Sequence, residues 1–126
     1  MSPIQLFNVV SQHNRWLSVR QTTIAGNVAN ANTPGYKALD VEPFQMAVEQ
    51  ARLAMAATSP AHMTSADTSA PATDVRKEEP WDVTYSGNSV SLEQEMIKAG
   101  DVNRAYRLNT SVIKAFHRML LASSKA

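Results

Sequence analysis

The residues with reactive side chains do not form a catalytic or metal-binding pattern. The 126-residue chain has no cysteine, which excludes thiol catalysis, disulfides and cysteine-based zinc sites. His13, His62 and His117 lack the helical His/Glu spacing of a zinc site. No serine has the glycine pattern of a nucleophile elbow, and no phosphate-binding glycine loop is present. The sequence therefore predicts a protein that is not an enzyme, with no catalytic residue, cofactor, metal or small-molecule substrate.

The formal net charge of +1 gives no whole-chain argument for nucleic acid, but the charges are unevenly placed. Residues 32–90 carry an acidic excess, and residues 91–126 carry a basic one. The basic side chains near the C-terminus surround a predicted helix without interleaved aromatic residues, which argues against nucleic-acid binding. Two explanations remain open, namely a solvated charged face and electrostatic steering between subunits.

The sequence also has no apolar run of membrane-spanning length, and its N-terminus lacks the basic flank and apolar core of a cleaved secretion signal. We therefore expect either a cytoplasmic protein or one exported without such a signal.

The elements that would hold functional residues are mainly helical. Residues 1–31 are predicted to form a long helix, with Ser2 as cap, Pro3 in the first turn and Gln5 completing a capping box. Its apolar stripe follows heptad spacing and contains Leu6, Val10, Leu17, Ile24 and Val28. Polar residues interrupt the stripe where a tight seam favours apolar side chains: His13, Arg20 and Asn27.

The middle of the chain is predicted to be less regular. Residues 32–42 form a hinge and an extended segment, and residues 43–57 form a short helix. Residues 58–90 are rich in small and polar residues, which predicts a loop-rich, loosely held segment. Within it, the alternation of large and polar residues predicts a short strand over Trp81–Tyr85.

Residues 91–126 are predicted to form the second long helix, opened by a capping box of Ser91 and Gln94. Its apolar stripe contains Leu92, Ala99, Tyr106, Ile113, Phe116 and Leu120. We expect a mainly α fold in which the terminal helices pack as an antiparallel, coiled-coil-like pair. Both stripes are broader than one seam, which favours burial against other subunits, although the short middle helix could instead cover the second face. The stripe residues of both helices are therefore candidate subunit-interface residues.

The end of the first helix carries a recognisable motif. The segment Ala25-Gly26-Asn27-Val28-Ala29-Asn30-Ala31-Asn32-Thr33-Pro34-Gly35-Tyr36-Lys37 resembles the N-terminal signature of bacterial flagellar rod, hook and related axial proteins. Gly87 to Met96 and Asn103 to Leu121 resemble the C-terminal helix of the short proximal-rod subunits of that family. Gly26 departs from the family pattern, which often has Asn there. The second motif and the chain length resemble one short proximal-rod subunit most, and the other short proximal-rod subunit is the nearest alternative.

The resemblance implies a self-assembling structural subunit of the basal-body rod, needed for motility. Such subunits are exported through the flagellar type III apparatus and assemble in the periplasm. Their expected partners are copies of themselves, other rod proteins, the FliE-type adaptor and the membrane-ring protein. The motif residues expected to act in assembly are Asn27, Asn30, Asn32, Thr33, Pro34, Gly35 and Tyr36, with Tyr36 placed against a neighbouring subunit. The alternative is a soluble helical adaptor or export chaperone that binds a partner helix.

Overall fold

A computed structural model describes residues 3–46, 48 and 74–125 and shows a mainly helical protein. The N-terminal helix spans Pro3–Ala29, and the C-terminal helix spans Leu92–Ser124. Between them lie strand β1 (Leu39–Val41), a short middle helix that begins at Phe44, and strand β2 (Val75–Lys77). The cap predicted at Ser2, the later part of the predicted middle helix and residues 58–73 of the predicted loop-rich segment lie outside the described residues.

The terminal helices pack as an antiparallel pair, which confirms the predicted fold class. Near the N-terminus Phe7 meets Phe116 edge to face, with 5.4 Å between ring centroids. The centre of the pair is a cluster of Leu17, Ile24 and Val102, flanked by partly buried Ala99 and Tyr106. Leu17 and Ile24 are seven positions apart, and Ala99, Val102 and Tyr106 follow at intervals of three and four, so each helix turns one stripe toward the other.

The C-terminal helix begins as expected at its cap but not in its full capping box. The Ser91 hydroxyl accepts a hydrogen bond from the backbone N–H of Gln94 at 3.5 Å, and Glu93 and Glu95 supply negative charge in the first turn. The Gln94 side chain does not return to the Ser91 backbone as the capping box predicted. It donates to Glu78 instead, because the chain just after β2 lies beside this helix end.

Strands β1 and β2 form an antiparallel two-stranded sheet in which Asp40 lies opposite Arg76. Two further bonds extend the ladder, from the Glu42 N–H to the Asp74 carbonyl and from the Glu78 N–H to the Ala38 carbonyl, both at 2.9 Å. Strand β2 therefore lies in a part of the loop-rich segment where the sequence predicted no strand.

The prediction of a strand at Trp81–Tyr85 is wrong. This segment enters a turn in which the Thr84 N–H bonds the Asn88 carbonyl and the Gly87 N–H bonds the Thr84 carbonyl. Gly87 has a φ of 81°, a left-handed conformation that glycine adopts without strain. The Trp81 and Tyr85 side chains are exposed, so their alternation with polar residues does not reflect a half-buried strand.

We expect Leu17→Ala to lower the free energy of unfolding by about 3 kcal/mol, because Leu17 is only 1% exposed and its truncation leaves a cavity between the helices. Leu108→Ala is the matched control, since Leu108 is 64% exposed, and it should change stability by less than about 1 kcal/mol. Urea titration followed by far-ultraviolet circular dichroism measures both changes. Equal losses in the two variants would contradict the packing of Leu17 in the helix seam.

Candidate assembly interface

The end of the N-terminal helix is held by one side chain from the far part of the chain. The buried Asn88 carboxamide donates to the carbonyls of Asn30, Ala31 and Thr33 at 2.8, 3.0 and 2.8 Å. Its Oδ1 accepts the backbone N–H of Val90 at 2.8 Å. These three carbonyls lie in the turn that follows the helix, so Asn88 ties that turn to the segment that leads into the C-terminal helix.

A second asparagine fixes where the chain goes after the turn. Asn27 is 0% exposed, donates to the Leu39 carbonyl at 2.7 Å and accepts the Leu39 N–H at 3.0 Å. This pair of bonds imitates a strand partner for the start of β1. The Tyr36 hydroxyl also lies 3.4 Å from Asn27 Oδ1, within the same chain. Contact between Tyr36 and a neighbouring subunit therefore stays a prediction.

Further hydrogen bonds join the two motifs that carry the family resemblance. The Gly35 N–H donates to the Ser86 carbonyl, and the Ser89 N–H donates to the Tyr36 carbonyl, both at 3.0 Å. The Ser89 hydroxyl accepts the Ala38 N–H at 2.8 Å. We call this set of contacts between residues 27–39 and residues 86–90 the hub. Both segments belong to the motifs that resemble the rod family, but the sequence pattern did not predict these contacts of Asn88 and Ser89.

The polar residues of the N-terminal stripe make specific contacts. His13 Nδ1 lies within hydrogen-bonding distance of the Asn109 side chain, which also donates to Asn14 Oδ1 at 2.8 Å. The Tyr106 hydroxyl donates to the Asn14 carbonyl at 3.1 Å. Because these partners meet only when the helices are correctly aligned, they select one register of the pair. The sequence missed Asn109, since nothing in its spacing separates it from a surface asparagine.

A charged cluster joins the sheet to the C-terminal helix. The buried ammonium of Lys98 contacts Glu78, Glu95 (3.0 Å) and Asp40 (3.7 Å), and Arg20 lies 3.5 Å from Asp40. Burial alone would lower the pKa of Lys98, but its hydrogen bonds to Glu78 and Glu95 and the charge of Asp40 outweigh that effect. The pKa of Lys98 is therefore raised above its ordinary value.

An aromatic cluster lies at the other side of β1. The Trp16 indole N–H donates to the Glu42 carbonyl at 2.7 Å, and the rings of His13, Trp16 and Phe44 pack together with 4.8 to 6.1 Å between their centroids. A cavity of about 380 Å³ opens here, lined by His13, Trp16, Arg20, Asp40, Val41, Pro43, Phe44 and Gln45. The Arg20 guanidinium stacks over Trp16, 5.4 Å from the ring centroid. These contacts anchor the start of the middle helix to the N-terminal helix.

The predicted interface residues divide into two groups. Val10, Leu17 and Ile24 are buried against the same chain's C-terminal helix, and Leu6, Ala99, Tyr106, Ile113 and Phe116 are half-buried along this seam. Val28, Leu92 and Leu120 are 46%, 50% and 43% exposed. Only the second group leaves about half of its surface open to another molecule.

The described residues contain no group of three or more histidine, aspartate or glutamate side chains placed to hold a metal ion. Over the same part of the chain, no helix combines the length and apolar character that membrane crossing requires.

We expect Asn88→Asp to lower the free energy of unfolding by about 3 kcal/mol, because a carboxylate removes the donors to three carbonyls and adds repulsion. Asn103→Asp introduces the same charge at an exposed position of the C-terminal helix and should cost much less. Urea titration gives the stabilities, and limited proteolysis between residues 30 and 39 reports opening of the hub. Undiminished protection in Asn88→Asp would contradict the role of this side chain.

Lys98→Met should lower the free energy of unfolding by about 3 kcal/mol at pH 7, because Glu78 and Glu95 lose their buried cation. The raised pKa of Lys98 also sets a pH dependence. The stabilisation that charged Lys98 supplies is complete below the unfolded-state pKa of about 10.4. It falls as pH rises through the higher folded-state pKa. Unfolding titrations from pH 7 to 11 should therefore show the two proteins converging at alkaline pH. A constant difference across this range would contradict the ion-pair assignment.

Comparison with known proteins agrees with this architecture. A family model described as "Flagella basal body rod protein" matches residues 16–37, the second half of the N-terminal helix and the start of the hub. The flagellar basal body rod protein FlgB of Agrobacterium fabrum is 46% identical over 99% of this chain and 96% of its own length. The protein of the same name from Salmonella typhimurium is 29% identical over 75% of this chain and 74% of its own, and that from Escherichia coli K12 is 26% identical over the same shares. The chain belongs to the FlgB family of flagellar basal body rod proteins.

Proposed function

We propose that this chain is a structural subunit of the flagellar proximal rod, and that it packs into the rod through apolar helix faces that its own fold leaves uncovered. The observation that carries this proposal is a second apolar stripe on the C-terminal helix. Leu108, Val112 and Met119 are exposed and follow one another at intervals of four and seven residues. This spacing places them along one side of a helix, separate from the seam that contains Val102 and Asn109.

Exposed apolar residues also occur on the N-terminal helix. Ile4, Val9 and Val28 are exposed along its length, while Val10, Leu17 and Ile24 lie in the seam. A helix pair that is apolar on its outer faces suits a site between other helices, since each face can be covered by a different neighbour. Val28, Leu92 and Leu120 are the predicted interface residues that we assign to such contacts. The buried members of the set act indirectly, by holding the pair together.

The partners that fit this role are other copies of the chain, other rod proteins, the FliE-type adaptor and the membrane-ring protein. The family resemblance supports this set, and the exposed helix faces supply surfaces of the required kind. The family resemblance also supports assembly in the periplasm after export without a cleaved signal peptide. A packing role calls for no catalysis, and we propose that the chain is not an enzyme.

A soluble adaptor or export chaperone is the alternative that exposed apolar helices also permit. The two functions differ in where the protein resides and in what its loss removes. Deletion of the gene should leave membrane rings without rods in electron micrographs of the cell envelope if the chain is a rod subunit. Intact rods in the deletion strain would reject the rod function and favour the adaptor.

Leu108→Asp should abolish motility in a complemented deletion strain while the protein remains folded, because it places a charge in an interface without touching the helix seam. Thr110→Asp, an exposed position on the same helix, is the control and should restore swimming. Swimming in soft agar gives the phenotype, and immunoblots of purified basal bodies report incorporation. Normal incorporation of Leu108→Asp would show that the second stripe is not a subunit contact.

A further inference from the structure

Charge is separated along the C-terminal helix and the segment that precedes it. Residues 78–95 contain five acidic and no basic side chains, whereas residues 102–125 contain five basic and no acidic ones. The N-terminal helix adds nothing to offset the basic end, because residues 3–14 carry no Lys, Arg, Asp or Glu. Within the fold Lys98 pairs with Glu78 and Glu95, and Lys37 of the hub donates to the Gly87 carbonyl. The acidic surface at the hub end therefore rests on Glu79, Asp82 and Glu93, whereas the opposite end is basic.

The basic end contains an open groove. Ile113, Lys114, His117 and Arg118 line a cavity of about 510 Å³ on the C-terminal helix. Lys114, His117 and Arg118 are exposed, while the half-buried Ile113 supplies an apolar floor. None of the salt bridges among the described residues involves Lys114 or Arg118. An apolar floor with a charged rim is the usual composition of a protein-binding surface.

The acidic end contains a smaller groove of opposite charge. It has a volume of about 290 Å³, and its lining includes Asp82, Leu92 and Glu93. Leu92 is half exposed, so this groove also has an apolar component. Backbone hydrogen bonding and the Ser91 hydroxyl hold the pKa of Glu93 below its ordinary value, so the carboxylate stays ionised.

The two grooves face the same way but cannot meet within one chain. Leu92 and His117 are 25 residues apart, which is close to seven turns of helix and roughly 40 Å along its axis. Since one continuous helix joins them, the basic groove can reach an acidic groove only on another molecule. Like charges disfavour pairing of like grooves, and grooves of opposite sign can meet either in a reciprocal two-fold pair, which closes after two copies, or in a staggered head-to-tail contact, which repeats. A rod needs a contact that repeats, so the staggered contact is the one that suits the proposed function.

We propose that the basic groove of one chain docks on the acidic groove of a second copy, in a staggered head-to-tail contact. Lys114 and Arg118 of one copy face the carboxylates of Asp82 and Glu93 in the next, around apolar side chains from both. A docked pair leaves one groove of each sign open, one on each copy, so the contact repeats and builds an open-ended array. This inference rests on the proposed rod function and names one contact within it.

Two charge-reversal variants of the full-length chain test the docking. The first carries Lys114→Glu with Arg118→Glu, and the second carries Asp82→Lys with Glu93→Lys. Sedimentation velocity at low ionic strength should show self-association of the unsubstituted chain, weakened by at least about tenfold in either variant alone. An equimolar mixture of the two variants should associate again, because acidic grooves then meet basic ones. Added salt should weaken association of the unsubstituted chain and of the mixture alike.

The control variant carries Arg15→Glu with Arg107→Glu, which changes the net charge as much as the first variant does, at exposed positions outside both grooves. It should associate like the unsubstituted chain, and circular dichroism checks that every variant keeps its helices. The docking is overturned if the unsubstituted chain stays monomeric, if either reversal leaves association unchanged, or if the mixture fails to recover.

Basal-body purification separates this inference from the rod function itself. If the first variant enters rods as well as the unsubstituted chain does, the docking is wrong while the rod function stands. Absence of the unsubstituted chain from purified rods would reject the rod function directly.

Discussion

The hydrogen bonds of Asn88 are the constraint on which the rest of the structure depends. The first helix closes its own end, because the Asn30 and Ala31 N–H groups bond carbonyls of its last turn. The turn that follows is fixed by one carboxamide located 55 or more residues later, which donates to three carbonyls of that turn. That contact brings the end of the first helix to the beginning of the last one. It thereby sets the direction of β1, the location of the sheet and the place where the second helix starts.

The register of the helix pair depends on polar residues in an otherwise apolar seam. A fully apolar stripe would pack well in several alignments, because one leucine or valine can replace another against the facing helix. His13 and Asn109 meet in only one alignment, and the same alignment lets Tyr106 reach the Asn14 carbonyl. Buried polar groups cost free energy when they are unpaired. A misaligned helix pair would lose both of these contacts and is therefore less stable. His13 is thus the interruption of the stripe that marks the register of the pair, whereas Arg20 and Asn27 contact β1.

The sequence predicted the parts of the fold that depend on local periodicity and missed those that depend on distant partners. Heptad spacing predicted both long helices and their antiparallel packing, and Ser91 caps its helix as expected. Strand β2 was missed because its pattern is short and exposed, and it exists through pairing with β1. Trp81–Tyr85 resembled a strand because alternation alone does not distinguish a half-buried segment from an exposed one. No local signal identifies Asn88 or Asn109, whose partners lie more than 50 residues away.

The division of the apolar surface explains how one short chain can be both a folded unit and a part of a larger assembly. Val10, Leu17 and Ile24 are used within the chain, so the faces available to other subunits are those that carry Val28, Leu108 and Leu120. Because the hub and the polar seam contacts fix the two helices against each other, these outer faces have a defined spacing before any neighbour binds. A preorganised surface loses less conformational entropy on association than a flexible one. The internal polar contacts thus serve assembly as much as they serve the stability of the single chain.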